Sequence, residues 1–75
     1  MHVLITGHSR GLGAALCQRH LAAGDEVWGL SRSAAAHSAP GLHEGRCDLA
    51  LLDQVTAGLE ALVPARTVLD RVYLN

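Results

Sequence analysis

The sequence contains no lysine, so arginine supplies all six of its cationic side chains. This absence excludes a Walker-type phosphate loop, which requires a lysine after its glycines. The formal net charge of −1 excludes the broadly basic surface typical of nucleic-acid-binding proteins. Apolar runs approaching the roughly 20 residues of a membrane span are also missing, as is a secretory signal. We therefore expect neither nucleic acid nor a membrane as a partner.

Cysteine is scarce, and its two copies, Cys17 and Cys47, form no CxxC or Cys/His motif. Without a secretory segment, they are expected to be reduced thiols in a cytoplasmic protein. Cys17 lies among apolar residues of a predicted helix, which favours a small core residue over a nucleophile.

The five histidines do not stand at metal-ligand spacings, so no metal site is predicted. His37 and His43 flank a Pro-Gly turn and are expected in a solvated loop. We expect His20 to be half-buried and hydrogen-bonded. The imidazole of His8 is expected to face solvent or the mouth of a pocket.

With 75 residues, 49% of them hydrophobic and 17% charged, the chain is expected to form one small globular domain. Strands are predicted at residues 3–5, 26–31 and 42–47 and within residues 67–74. Helices are predicted at residues 14–23, ended by Gly24, and at residues 49–62, capped by Asp48 and stopped by Pro64, with a weak one at residues 33–37. Four residues with helical spacing are expected to pack on the sheet: Leu12, Ala15, Leu16 and Ala23.

This β-α-β-α-β-α-β order predicts parallel strands joined by right-handed crossovers, and therefore a Rossmann-type doubly wound α/β sheet. The predicted sheet ends on a strand that nothing covers. We therefore expect residues 1–75 to be the N-terminal part of a single nucleotide-binding domain in a longer protein.

The most informative segment is Thr-Gly-His-Ser-Arg-Gly-Leu-Gly, residues 6–13, between the first predicted strand and helix. Gly7 permits a tight turn, Gly11 lets the backbone approach a pyrophosphate, and Gly13 allows close packing of the helix. The helix N-terminus offers free N–H groups to phosphates. The spacing is not GxGxxG, because Leu16 occupies the position of the last glycine.

The spacing TGxxxGxG resembles the classical branch of the short-chain dehydrogenase/reductase family; the extended branch, which includes sugar-nucleotide epimerases, shows TGxxGxxG instead. Leu-Ala-Ala-Gly at 21–24, followed by Val-Trp-Gly-Leu-Ser-Arg at 27–32, is similar to the family's first helix and second strand. Cys-Asp-Leu at 47–49 resembles the segment beside the adenine. Val-Tyr-Leu-Asn at 72–75 resembles the fourth strand and the start of the NAG motif.

The resemblance and the loop chemistry together give a set of expected cofactor-binding residues: Gly7, Ser9, Arg10, Gly11, Leu12, Gly13, Ser31, Arg32, Asp48, Leu49 and Asn75. The family's catalytic serine, tyrosine and lysine are not expected among these residues. Tyr73 is the only tyrosine, and no lysine follows it.

The second strand ends in Ser31-Arg32, without the acidic residue that binds the ribose of NAD. Arg32 and Arg10 are suited to pair with the 2′-phosphate of NADP, and Ser31 and Ser33 could add hydroxyl donors. The sequence therefore favours NADP over NAD, the alternative being that both arginines are ordinary solvated surface groups.

The resemblance implies an oxidoreductase that moves a hydride between NADP(H) and a carbonyl or alcohol substrate, and that forms a homo-oligomer. One alternative is a catalytically silent NADP-binding sensor or docking module. Another is a Rossmann-like core that binds no dinucleotide and uses the glycine loop only as a tight connection.

Overall fold

A computed structural model of the protein describes residues 1–33, 35, 39–46, 48, 50–63 and 67–74. In chain order, its elements are β1 (His2–Thr6), α1 (Gly11–Ala22), β2 (Glu26–Ser31), β3 (Leu42–Arg46), α2 (Leu52–Leu62) and β4 (Arg71–Leu74). The bounds of β2 coincide with the prediction. The predicted helix at 33–37 falls largely outside the described residues, as do Cys47, Leu49, Pro64 and Asn75.

The four strands form one parallel sheet in the order β3-β2-β1-β4. Ile5 of β1 pairs with Gly29 of β2 on one side and with Tyr73 of β4 on the other. Helix α1 packs on β1 and β2, and α2 packs on β2 and β3. The predicted Rossmann-type parallel α/β sheet is therefore confirmed.

The core lies along β1 and β2, at the centre of the sheet. Val3 and Ile5 are fully buried and Leu4 is 5% exposed, so β1 is covered on both faces, as its continuous apolar run predicts. Val3, Ile5 and Val27 form a cluster with Cys17 of α1. Cys17 therefore fills the core, as predicted.

The two helices cover opposite faces of the sheet. On one face of the sheet, Val27 of β2 belongs to the core that α1 covers. On the other face, a Cβ added at Gly45 of β3 would meet Leu30 of β2 and Leu62 of α2. Successive residues of a strand point to opposite faces of the sheet. Val27 and Leu30 are three residues apart in β2, so their side chains lie on opposite faces. Each crossover thus places its helix on a different side, which makes the sheet doubly wound.

The face of α1 that packs on the sheet differs in part from the predicted one: Leu16 packs against the core as predicted, but the other three residues are exposed. Leu12 is 66% exposed, and Ala15 and Ala23 are also exposed. Gly13 and Cys17, one turn apart, are the buried residues of the helix. Because α1 already begins at Gly11, Gly13 lies in its first turn and faces the sheet, where the small size of glycine permits close packing. Leu12 points outward.

Helix α1 ends in a Schellman motif. The N–H of Gly24 donates to the carbonyl of Leu21, and the N–H of Asp25 donates to the carbonyl of His20, both at 3.0 Å. Gly24 has a φ of 86°, a left-handed conformation that side chains disfavour. The predicted glycine C-cap is confirmed.

Helix α2 begins later than predicted, and Asp48 does not cap it. The N-cap is Leu51, which makes no side-chain capping hydrogen bond. The Oδ1 atom of Asp48 instead accepts from the N–H of Ala50 at 2.9 Å, in a local turn before the helix. Because the carboxylate of Asp48 accepts a hydrogen bond in this turn, it does not cap α2.

Within the described residues, the helices are too short and too polar to include a candidate membrane span.

Replacing Gly24 with alanine is expected to lower the free energy of unfolding by about 1 kcal/mol, because alanine is strained at positive φ. Asparagine tolerates this conformation better, so Gly24→Asn is expected to cost less. Urea denaturation of the three proteins measures both effects. A Gly24→Ala variant as stable as the parent protein would contradict the role of this cap.

Candidate functional site

The glycine loop, defined here as residues 7–10, leaves the carboxyl end of β1 and turns over β2. The N–H of Gly7 donates to the carbonyl of Leu30 at 2.7 Å, which fastens the start of the loop to β2. Gly7 and Gly11 have φ values of 69° and 58°. Both positions need the left-handed conformation that glycine adopts without strain, so the loop's two turns depend on these glycines.

The loop ends at the N-terminus of α1, where no side chain caps the helix. Its N-cap, Arg10, has extended backbone and makes no side-chain capping hydrogen bond, and the first turn contains no acidic residue. A Cβ added at Gly11 would meet nothing within 4 Å. The positive end of the helix dipole therefore lies beside open space at Gly11, the kind of position at which helix N-termini bind anions.

Gly13 and Leu12 complete the first turn with different roles. Gly13 is buried and lets α1 pack closely on the sheet, as predicted. The side chain of Leu12 is exposed, so this residue offers its backbone and an apolar surface beside the loop.

The segment after β2 lies against the glycine loop. The hydroxyls of Ser9 and Ser33 are 3.1 Å apart. Arg10 and Arg32, which flank this contact, are both exposed and form no salt bridge with any described residue. Two guanidinium groups thus lie on adjoining segments with no carboxylate partner in the part of the chain that the structure describes.

Ser31, whose hydroxyl is predicted to donate to the cofactor, is the buried last residue of β2. It is 5% exposed, and its hydroxyl donates to the carbonyl of Ser33. This hydroxyl shapes the turn after β2. Asp48, half-buried, follows β3 at the same edge of the sheet. Leu49 and Asn75 lie outside the described residues, so their predicted roles stay predictions.

The imidazole of His8 does not face solvent, as one form of the expectation had it, but lies buried and lines a pocket together with Cys17 and Leu21. His8 is 1% exposed, and its Nε2 lies 2.6 Å from Oε1 of Glu44 on β3. Its Nδ1 is buried without a described partner. The ring occupies the space above Gly29, where a Cβ would lie 2.3 Å from its Cγ. The loop is therefore anchored into the sheet through its own histidine.

Glu44 remains ionised beside this ring. Its partial burial alone would raise the carboxyl pKa, but hydrogen bonds from the backbone N–H of Ala35 and from His8, with the charges of His8 and Arg46, together lower the pKa. Burial, and secondarily the charge of Glu44, raise the pKa of the Cys17 thiol. A protonated buried thiol suits a structural residue rather than a nucleophile.

His20 is half-buried and hydrogen-bonded, as predicted, at the far end of α1. Its Nδ1 lies 2.7 Å from Oδ2 of Asp25, and its Nε2 lies 3.0 Å from the hydroxyl of Tyr73. The hydrogen bond to His20 is the main cause of the lowered pKa of Asp25. This cluster is structural: it ties the end of α1 to β4.

His43 is on strand β3, not in a solvated loop. Its Nε2 is 2.7 Å from Oε2 of Glu26, and its ring stacks on Trp28 with centroids 5.2 Å apart. Among the described residues, no group of three His, Cys, Asp or Glu side chains could hold a metal ion.

A family of sequences described as "NAD dependent epimerase/dehydratase family" matches residues 3–69. None of the curated protein sequences is similar enough to count as a match.

Two solved structures resemble the chain. One is a short chain dehydrogenase family protein from Francisella tularensis, with a TM-score of 0.87 and 25% identity over 99% of this chain. The other is a short-chain dehydrogenase/reductase from Burkholderia vietnamiensis, with a TM-score of 0.68 and 37% identity over 77% of this chain. The matches cover 30% of each of those two chains.

The lowered pKa of Glu44 predicts that part of the protein's stability is lost in acid. A group with a depressed folded pKa stabilises fully above its unfolded value, near the ordinary 4.5, and loses that contribution as pH falls through the folded value. The free energy of unfolding, measured by urea denaturation from pH 7 to pH 3, should therefore fall less steeply below about 4.5 in Glu44→Gln. Parallel curves for the two proteins would show that Glu44 contributes nothing to the acid loss.

Proposed function

The chain belongs to the NAD dependent epimerase/dehydratase family, and on that premise we propose that it is the cofactor-binding part of an NADP(H)-dependent short-chain oxidoreductase. Both solved relatives carry short-chain dehydrogenase names, which confirms the family resemblance predicted from the residues. The glycine spacing, TGxxxGxG, supports the dehydrogenase branch rather than the epimerases as part of this proposal.

One observation carries the proposal: the uncapped N-terminus of α1 follows the glycine loop, and left-handed glycines stand at the start of that loop, Gly7, and at the start of the helix, Gly11. The backbone N–H groups of Gly11, Leu12 and Gly13 would hold the pyrophosphate, with the helix dipole favouring its charge. NADP(H), when bound, supplies the hydride donor or acceptor. The chain's own part is to bind and orient it.

The preference for NADP rests on the two exposed arginines. Arg10 and Arg32 would pair with the 2′-phosphate, since a guanidinium forms strong hydrogen bonds to phosphate oxygens. No acidic residue stands at the end of β2, where a carboxylate would repel that phosphate and hold the ribose of NAD. The Ser9–Ser33 contact keeps the two arginine-bearing segments adjacent.

The chain spans 30% of the length of each solved relative, so the reaction belongs to our proposal for the whole enzyme. We propose a carbonyl or alcohol substrate, a homo-oligomeric enzyme and a cytoplasmic location. A tyrosine–lysine pair would carry the proton chemistry. Because the chain has no lysine, its residues serve the cofactor rather than that step.

Replacing Gly11 with asparagine is expected to abolish most binding of NADPH. Asparagine tolerates positive φ, but its side chain would occupy the open space in front of α1. Gly24→Asn is the matched control, because Gly24 also has positive φ and open space where a Cβ would lie, at the other end of the helix. Fluorescence titration should show lost affinity only for Gly11→Asn. Equal affinities would contradict the phosphate-loop role.

Arg32→Asp is expected to weaken NADPH binding by about tenfold or more, since one charge-assisted contact is lost and a repulsive carboxylate is gained. NADH affinity should be unchanged or higher. Arg19→Asp makes the same charge change on an exposed residue at the far end of α1 and should leave both affinities near the parent values. Unchanged NADPH affinity in Arg32→Asp would sink the 2′-phosphate assignment.

A further inference from the structure

Glu44 connects the two segments that the proposed nucleotide site requires. Its Oε1 accepts from Nε2 of His8 at 2.6 Å and from the backbone N–H of Ala35 at 2.7 Å. His8 belongs to the glycine loop, and Ala35 follows Arg32 by three residues. A single carboxylate oxygen on β3 therefore holds both segments at once.

The two hydrogen bonds from His8 and Ala35 to Glu44, called the junction below, lie against the sheet. The side chain of His8 is fully buried, and that of Glu44 is 24% exposed. Gly29, which pairs with Glu44 in the sheet register, leaves the space that the imidazole fills. Bonds to an ionised, partly buried acceptor are stronger than neutral surface bonds, so the junction restricts how the two segments sit relative to each other.

We propose that Glu44 is a positioning residue that sets the preference for the 2′-phosphate, by holding the glycine loop in register with the segment carrying Arg32. This rests on the proposed NADP(H) function. The pyrophosphate contacts come from the loop and the start of α1 alone, and NAD and NADP share them. The 2′-phosphate also needs Arg32 from the second segment. Loss of the junction therefore weakens NADPH binding more than NADH binding.

The test compares Kd values for NADPH and NADH in the purified protein and three variants. Glu44→Ala removes the acceptor of both hydrogen bonds and is expected to weaken NADPH binding by about tenfold, the factor for losing one charge-assisted contact between Arg32 and the 2′-phosphate, with a smaller loss for NADH. Glu44→Gln keeps an oxygen that accepts from both N–H groups. This variant should therefore retain most of the parent protein's ratio of NADPH affinity to NADH affinity.

Glu26→Ala is the matched control. Glu26 also bonds a histidine, His43, at 2.7 Å in the same sheet, but both of these side chains are 47% exposed, and Glu26 is the first residue of β2, at the end of the strand away from the glycine loop. This variant should leave both Kd values unchanged. If Glu44→Ala does not fold, His8→Ala removes the loop's half of the junction and is expected to lower the NADPH preference in the same direction.

The outcomes separate the two proposals. A parent protein that binds neither nucleotide overturns the proposed function itself. A parent protein that prefers NADPH, with variants that lose both affinities equally or neither, overturns only the positioning role. A purely structural role for Glu44 would lower thermal stability while leaving the NADPH-to-NADH ratio unchanged, so the ratio decides between them.

Discussion

The absence of a side chain at Gly29 is the constraint on which the glycine loop depends. Gly29 sits in the interior of the sheet, paired with Ile5 of β1 and Glu44 of β3. A Cβ there would overlap the ring of His8, so any other residue would push the imidazole out. With glycine in place, the loop is held against β2 and β3, and α1 begins directly after it with its N-terminus open.

The parallel sheet gives this loop its chemical surroundings. The carboxyl ends of parallel strands meet at one edge, where nucleotide sites of open α/β sheets form. That edge brings together the glycine loop after β1, Ser33 and Arg32 after β2, and Asp48 after β3. The opposite end of α1 carries the His20–Asp25–Tyr73 cluster, in which His20 is hydrogen-bonded to both of the other side chains. The proposed phosphate site and the cluster that fastens α1 to β4 thus lie at opposite ends of the helix.

The features predicted correctly from the sequence are those that local residues determine. The bounds of β2 follow from an apolar run between turn residues, and the end of α1 follows from Gly24. The burial of His8 could not be predicted in this way, because it needs Gly29 and Glu44 from two other strands. A glycine inside a buried strand, aligned with a lone acidic residue in the next strand, was the available signal.

Two further differences from the predictions have local causes. Helix α2 begins later than predicted, because Asp48 accepts from the N–H of Ala50 in a turn instead of capping the helix. Helical spacing predicts Leu12, Ala15, Leu16 and Ala23 on the packed face of α1, but of these only Leu16 packs against the core, and the buried residues of the helix are Gly13 and Cys17. In both cases the residue types predict a helix correctly. Which residues each side chain contacts could not be predicted from the spacing in the sequence alone.

The central claim is that the N-terminus of α1 binds the phosphates of a dinucleotide. An amide NMR titration of the protein with NADP⁺ tests it most directly. If the helix N-terminus binds the phosphates, the shifts will be saturable and largest at the amides of Gly11, Leu12 and Gly13. Saturable shifts elsewhere with these three amides unmoved, or no shifts at all, would contradict it.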